Sequence, residues 1–162
     1  MSSRPARTGS RVAAVQALFQ SEQAGVPAEV VIDEFIRHRL GTLPGTGGFE
    51  DGRVPEAEVP LFAAIVRAAV AGGETIDAML TAALPEEWRL ERLDPVLRAL
   101  LRAGAAELMR ADGPPAKVVI NEYLNVAHGF LEGETPKMAN AILDRLARQL
   151  RAAEFAASAT GR

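Results

Sequence analysis

Apolar residues recur along most of the chain at spacings of three and four, which is the period of an amphipathic helix. Such stripes occupy residues 12–19, 31–40, 62–70, 76–83, 97–108, 120–131 and 139–150. Residues 118–120 form a short β-branched run, but they follow two prolines and begin a helical stripe. The pattern predicts an all-α bundle of about seven helices with no sheet, arranged as two packed helical subdomains.

Capping and breaking residues place several of the helix ends. Ser10 is a possible N-cap of the first helix, and Asp94 precedes a proline in the way that N-caps often do. Thr135 and Pro136 repeat this arrangement before the last stripe. Gly72 and the glycine after it predict the end of the third helix.

Between residues 41 and 60 the periodicity is lost. This stretch holds five glycines, three prolines and four carboxylates, and it predicts a flexible acidic loop. We therefore expect a flexible basic arm at residues 1–9, a helical domain at 10–152 that contains the loop, and a flexible alanine-rich tail at 153–162.

Composition narrows the possible chemistry. The chain has 162 residues, 48% of them apolar, and no cysteine, so thiol catalysis and cysteine metal sites are excluded. His38 and His128 are the two histidines, and no phosphate-binding loop or nucleophile motif is present. We therefore expect no enzyme activity, no catalytic residue, no bound metal and no cofactor.

Charge is distributed unevenly along the chain. The net charge of −3 argues against a protein that coats nucleic acid over its whole surface. Arg4, Arg7 and Arg11, however, all precede Glu22, the first acidic residue. These arginines form either an RNA-binding arm or a solubilising terminus. The chain shows neither a signal sequence nor a membrane-spanning stretch, so we expect a cytoplasmic protein.

Three asparagines fall inside predicted helices, where asparagine is less favourable than alanine. A fixed hydrogen bond would explain this choice of residue. We expect Asn121 to tie one helix to another, whereas Asn140 could serve either structure or a ligand.

Four segments together resemble the NusB family of transcription antitermination factors. Residues 14–20 read AVQALFQ and are similar to the first helix of that family. Residues 93–108 resemble its central helix, and residues 115–127 resemble the next one. Residues 137–144, KMANAILD, are similar to its signature K-F-V-N-G-V-L-D. The resemblance covers nearly the whole chain except residues 41–60 and the C-terminal tail.

The resemblance implies that this chain pairs with the ribosomal protein NusE, binds single-stranded boxA RNA and acts within a transcription elongation complex. The RNA-binding residues that it implies are Arg4, Arg7, Arg11, Glu134, Lys137 and Met138, and Asn140 in the same segment is a further candidate. The NusE-binding residues are Phe19 and Leu97, although Leu97 could instead belong to the core.

Two features distinguish this chain from the family pattern. Thr8 and Gly9 stand where other members carry arginines, and Met138 stands where a phenylalanine is usual. A thioether stacks on a base less well than an aromatic ring does.

A second interpretation is a helical protein-interaction adaptor that does not bind RNA. The acidic pI and the small number of arginines in the N-terminal arm also fit this interpretation.

Overall fold

The computed structural model describes residues 4–40 and 57–160, and these residues form eight α-helices, one short 3-10 helix and no strand. This confirms the all-α prediction. The α-helices are α1 (Arg4–Ala24), α2 (Ala28–His38), α3 (Val59–Ala71), α4 (Gly73–Ala83), α5 (Pro95–Met109), α6 (Ala116–Phe130), α7 (Thr135–Leu150) and α8 (Ala152–Thr160), with the 3-10 helix at Leu90–Arg92. Most of the predicted 41–60 loop lies outside the described residues.

The chain divides into two compact units, residues 1–71 and residues 72–162. The first unit contains α1 to α3, and the second contains α4 to α8. No single helix in the described part of the chain is long and apolar enough to cross a membrane. The successive helices α3 and α4 satisfy that length and composition only when they are taken together.

In the first unit, α1 packs against both α2 and α3. The rings of Phe35 and Phe62 stack in the core of this unit, with centroids 5.6 Å apart. On the surface, Arg67 of α3 donates two hydrogen bonds to the carboxylate of Glu29 on α2, at 2.7 and 3.0 Å. This ion pair lowers the pKa of Glu29 and raises that of Arg67, chiefly through the hydrogen bonds.

The N-cap expected at Ser10 is wrong, because α1 begins at Arg4 and Ser10 lies inside the helix, fully buried. Its hydroxyl accepts a hydrogen bond from the backbone N–H of Glu58 at 2.6 Å. The carbonyl oxygens of Ala6 and Glu58 lie 2.8 and 3.0 Å from the same hydroxyl. Ser10 therefore joins α1 to the segment that leads into α3, and the part of the predicted arm from residue 4 onward is helical.

The second unit is built around α5, whose described contacts include α4, α6 and α7. Asp94 caps α5 as predicted, because its carboxylate accepts hydrogen bonds from the N–H groups of Val96 at 2.8 Å and Leu97 at 3.1 Å. Eleven of the fifteen residues of α5 are buried, and Arg98 is one of them. The guanidinium of Arg98 donates to the carbonyl oxygens of Leu90 and Leu93, at 3.2 and 3.0 Å.

Residues Ala152–Thr160, which include most of the predicted C-terminal tail, form helix α8. Arg151, just before α8, donates hydrogen bonds to the carbonyls of Leu108 and Arg110 at 2.9 and 2.7 Å. It also pairs with Glu154 at 2.7 Å. The Glu154 carboxylate in turn accepts from the N–H of Ala116 at 2.8 Å. These bonds hold α8 against the turn between α5 and α6.

Candidate nucleic-acid interface

The three N-terminal arginines have different environments. Arg7 is exposed on the first turns of α1, where its guanidinium can reach a phosphate. Arg4 lies in the same helix, but its side chain is outside the described residues. Arg11 is 1% exposed and interacts inside the protein. The expectation that Arg11 offers a free guanidinium to RNA is therefore wrong, because burial withdraws it from solvent.

The two predicted NusE-binding residues also differ. Phe19 is partly exposed in the C-terminal part of α1, so its ring is accessible to a partner. Leu97 is 1% exposed in the first turn of α5 and belongs to the core. The prediction that Leu97 contacts NusE is therefore wrong, and the alternative that Leu97 belongs to the core is correct.

The start of α7 brings the other predicted RNA-binding residues onto two adjacent turns. Lys137 and Glu134 are both exposed, and their side chains form an ion pair of 3.6 Å. Met138 and Asn140 are half-buried beside them. Glu134 occupies the N-cap position but makes no side-chain capping bond, so Thr135 is not the cap that the sequence suggested.

The electrostatics of this corner favour an anion only modestly. The N-terminus of a helix carries partial positive charge from its unpaired N–H groups, and Lys137 adds a full charge. Glu134 offsets that charge through an exposed ion pair, which is weak and screened by salt. The site can therefore hold a phosphate but does not bind it strongly by itself.

The asparagines of α6 contradict the structural role expected for Asn121. Asn121 and Asn125 are both exposed, and neither side chain makes a hydrogen bond to another described residue. Their place on the helix therefore has no structural explanation within the described chain. Sequence reasoning also missed Gln16, whose side-chain oxygen is buried in α1 with no hydrogen-bond partner among the described residues. A glutamine within an apolar stripe was the available signal.

Metal chemistry has no support at these positions. The described residues contain no group of three or more histidine or carboxylate side chains that could hold a metal ion. His128, at the end of α6, is exposed.

Comparison with known proteins identifies the family. A model of the NusB family matches residues 8–148. This chain belongs to the NusB family. Two relatives named transcription antitermination protein NusB support the assignment. The NusB of Granulibacter bethesdensis is 67% identical over 150 residues, covering 93% of this chain and 92% of that protein. The NusB of Gluconobacter oxydans is 53% identical over 146 residues, covering 90% and 89%.

Solved structures show the same NusB fold. The NusB of T. maritima matches with a TM-score of 0.68 and 27% identity, over 92% of this chain and 94% of that one. A structure described as antitermination factors NusB and NusE in complex with dsRNA matches with a TM-score of 0.71 and 20% identity. That match covers 91% of this chain and 99% of the other. The comparisons of sequence and of structure therefore lead to the same family.

Proposed function

We propose that this NusB-family chain acts in the cytoplasm with NusE to bind single-stranded boxA RNA and promote antitermination on ribosomal RNA operons. The observation that carries the proposal is the 67% identity to a transcription antitermination protein over nearly the whole chain. The crystallised assembly of a NusB and a NusE with double-stranded RNA motivates the choice of NusE as partner.

The described surface supports RNA binding through a small number of exposed positive charges. Arg7 on α1 and Lys137 on α7 are exposed cations, and both stand in segments that the family resemblance assigns to RNA. Because only a few phosphates can be neutralised in this way, affinity of the chain alone is expected to be weak. Partly exposed Phe19 gives NusE an aromatic contact, and NusE would supply a second surface for the RNA strand.

Fluorescence anisotropy with labelled boxA RNA tests the proposal. We expect weak binding by the chain alone, at least about tenfold tighter binding when NusE is added, and little binding of a scrambled strand. Equal affinity with and without NusE would contradict the role of the heterodimer. Binding of boxA and scrambled RNA with one affinity, or no binding of either, would favour the adaptor interpretation.

A further inference from the structure

The segment between α4 and α5 displays the single tryptophan of the chain. Trp88 is 44% exposed, although an indole is among the side chains that gain most from burial. Its backbone N–H donates to the carbonyl oxygen of Pro85 at 2.9 Å and closes a turn, and the 3-10 helix Leu90–Arg92 follows this turn. We call residues 85–92 the Trp88 platform.

The backbone of the Trp88 platform is fixed by buried groups. Leu90 within it and Leu93 just after it are buried. The guanidinium of Arg98, which is only 8% exposed, donates hydrogen bonds to three backbone carbonyl oxygens of this region. They belong to Leu90, Glu91 and Leu93, at 3.2, 3.4 and 3.0 Å. The platform is therefore ordered before any partner arrives, which lowers the entropy lost on binding.

The charged side chains of the Trp88 platform are exposed, and none of them pairs with another residue in the described part of the chain. They are Glu86, Glu87, Arg89, Glu91 and Arg92. The carboxylates outnumber the guanidinium groups, so the indole stands in a surface with an excess of negative charge. All of these groups are available to an external partner.

We propose that the Trp88 platform is a protein-docking site, at which the indole enters an apolar pocket of a cationic partner surface, and that NusE is this partner. Tryptophan and arginine are enriched among the residues that dominate the energy of protein interfaces. A ribosomal protein contacts RNA phosphates through cationic surface, and such a surface complements the negative excess of the platform. This inference rests on the proposed function and deepens it by naming a NusE-contacting element in the second unit.

Single-stranded RNA fits the Trp88 platform less well. An indole can stack on a base, and two arginines are close to it in the chain. A strand that stacked on Trp88 would, however, bring its phosphates next to three exposed carboxylates, and like charges at this range repel. The charge pattern therefore favours a protein partner.

The fluorescence of Trp88 tests the proposal, because no other tryptophan of this chain contributes to it. A NusE in which phenylalanine replaces any tryptophan keeps the signal specific. At saturating NusE and without RNA, we expect a blue-shifted emission and quenching by acrylamide that is reduced at least about twofold, since the indole leaves water. Unchanged emission and quenching in the formed complex would overturn the proposal. Shielding of Trp88 by boxA RNA without NusE would also overturn it, because the platform would then bind RNA.

Substitution of the indole gives a second test. Trp88→Ala should weaken NusE binding at least about tenfold, as measured by isothermal titration calorimetry without RNA. Met109→Ala is the matched control, because it removes a 40% exposed apolar side chain from the end of α5 in the same unit, and its affinity should not change. Thermal unfolding shows that both variants are folded. An affinity of Trp88→Ala within about twofold of the wild type contradicts the proposal.

The charge of the Trp88 platform has its own test. The double variant Glu86→Gln with Glu87→Gln should weaken NusE binding by about threefold or more at low salt and by less at high salt, because salt screens the attraction. Glu74→Gln with Glu132→Gln removes the same charge from exposed sites elsewhere in the unit, and its effect should be smaller. Equal effects of the two double variants would refute the electrostatic match.

Failure of the proposed function is distinguishable in these titrations. A wild-type chain that does not bind NusE contradicts both proposals. A wild-type chain that binds NusE while Trp88 stays open to the quencher contradicts only the docking role of the Trp88 platform.

Discussion

Gly104 lies where α5 packs closely against α6 and α7. A Cβ atom built there would lie 2.8 Å from Cδ2 of Leu143 on α7 and 3.5 Å from the ring of Tyr123 on α6. Leu143 and Tyr123 are themselves buried, so neither has free space in which to move. The absence of a side chain at residue 104 therefore sets how closely these helices pack.

We expect Gly104→Val to destabilise the fold by about 1–3 kcal/mol, because its branched side chain overpacks this contact. The measurement is the free energy of unfolding in urea. Gly129→Ala is the matched control, since a Cβ at that helical position meets no atom within 4 Å. The control should be neutral or more stable by up to about 1 kcal/mol. Equal stability of the valine variant and the wild type would refute the close-packing argument.

Arginine residues show how strongly position changes the use of one side chain. Arg7 is exposed, whereas Arg11, one turn later, is buried. Arg98 donates its hydrogen bonds to backbone carbonyls of the segment before α5. A buried guanidinium requires such acceptors, because unpaired burial of a charge is strongly unfavourable. The positions of the arginines in the sequence therefore did not indicate which of their side chains are exposed to solvent.

At the scale of the element, the start of α5 depends on one carboxylate. Asp94 accepts hydrogen bonds from two N–H groups that would otherwise lack a partner in the helix. We expect Asp94→Ala to lower stability by about 0.5–2 kcal/mol, as measured by chemical denaturation. Asp94→Asn keeps an acceptor oxygen at this place and should retain most of the stability. If the alanine and asparagine variants are equally stable, the cap does not hold the helix.

The junction of α8 with the α5–α6 turn depends on pH. The N–H of Ala116, and then Arg151, lower the pKa of Glu154 below its ordinary value of 4.5. Because the pKa is lower in the folded state than in the unfolded one, the stabilisation is present above pH 4.5 and disappears as the pH falls through the lowered pKa.

Glu154→Gln should therefore be less stable than the wild type at neutral pH, and the difference should vanish in acid. Unfolding in urea at a series of pH values measures this difference. The substitution keeps an acceptor for Ala116 but removes the charge that faces Arg151. A difference that stays constant down to the acid limit would show that Glu154 does not act through its charge.

At the scale of the whole molecule, the proposed RNA binding relies on few cations in a chain of net negative charge. Each phosphate contact to a single strand contributes about 0.7 to the slope of log affinity against log salt. Arg7→Ala should therefore weaken boxA binding with NusE and reduce the magnitude of that slope by about 0.7.

Arg37→Ala provides the control for this charge change, because Arg37 is an exposed arginine of the same unit and pairs with Asp33 on α2. Its slope and affinity should match those of the wild type. Salt slopes that are the same for Arg7→Ala and the wild type would mean that Arg7 makes no phosphate contact.

The sequence by itself determined the helical class, some of the helix ends and the family. Apolar periodicity and capping pairs such as Asp94 and Pro95 are local signals, and local signals are readable from one chain. The segment 137–144 likewise carried the family resemblance directly in its residues.

Only the tertiary structure decided which side chains are accessible. Burial of Arg11 and Leu97, and exposure of Asn121, depend on what packs against each residue from elsewhere in the chain. Glu154 of α8 likewise accepts a hydrogen bond from Ala116, which is 38 residues away in sequence. Such long-range contacts leave no local pattern, and they separate the residues that bind from those that support the fold.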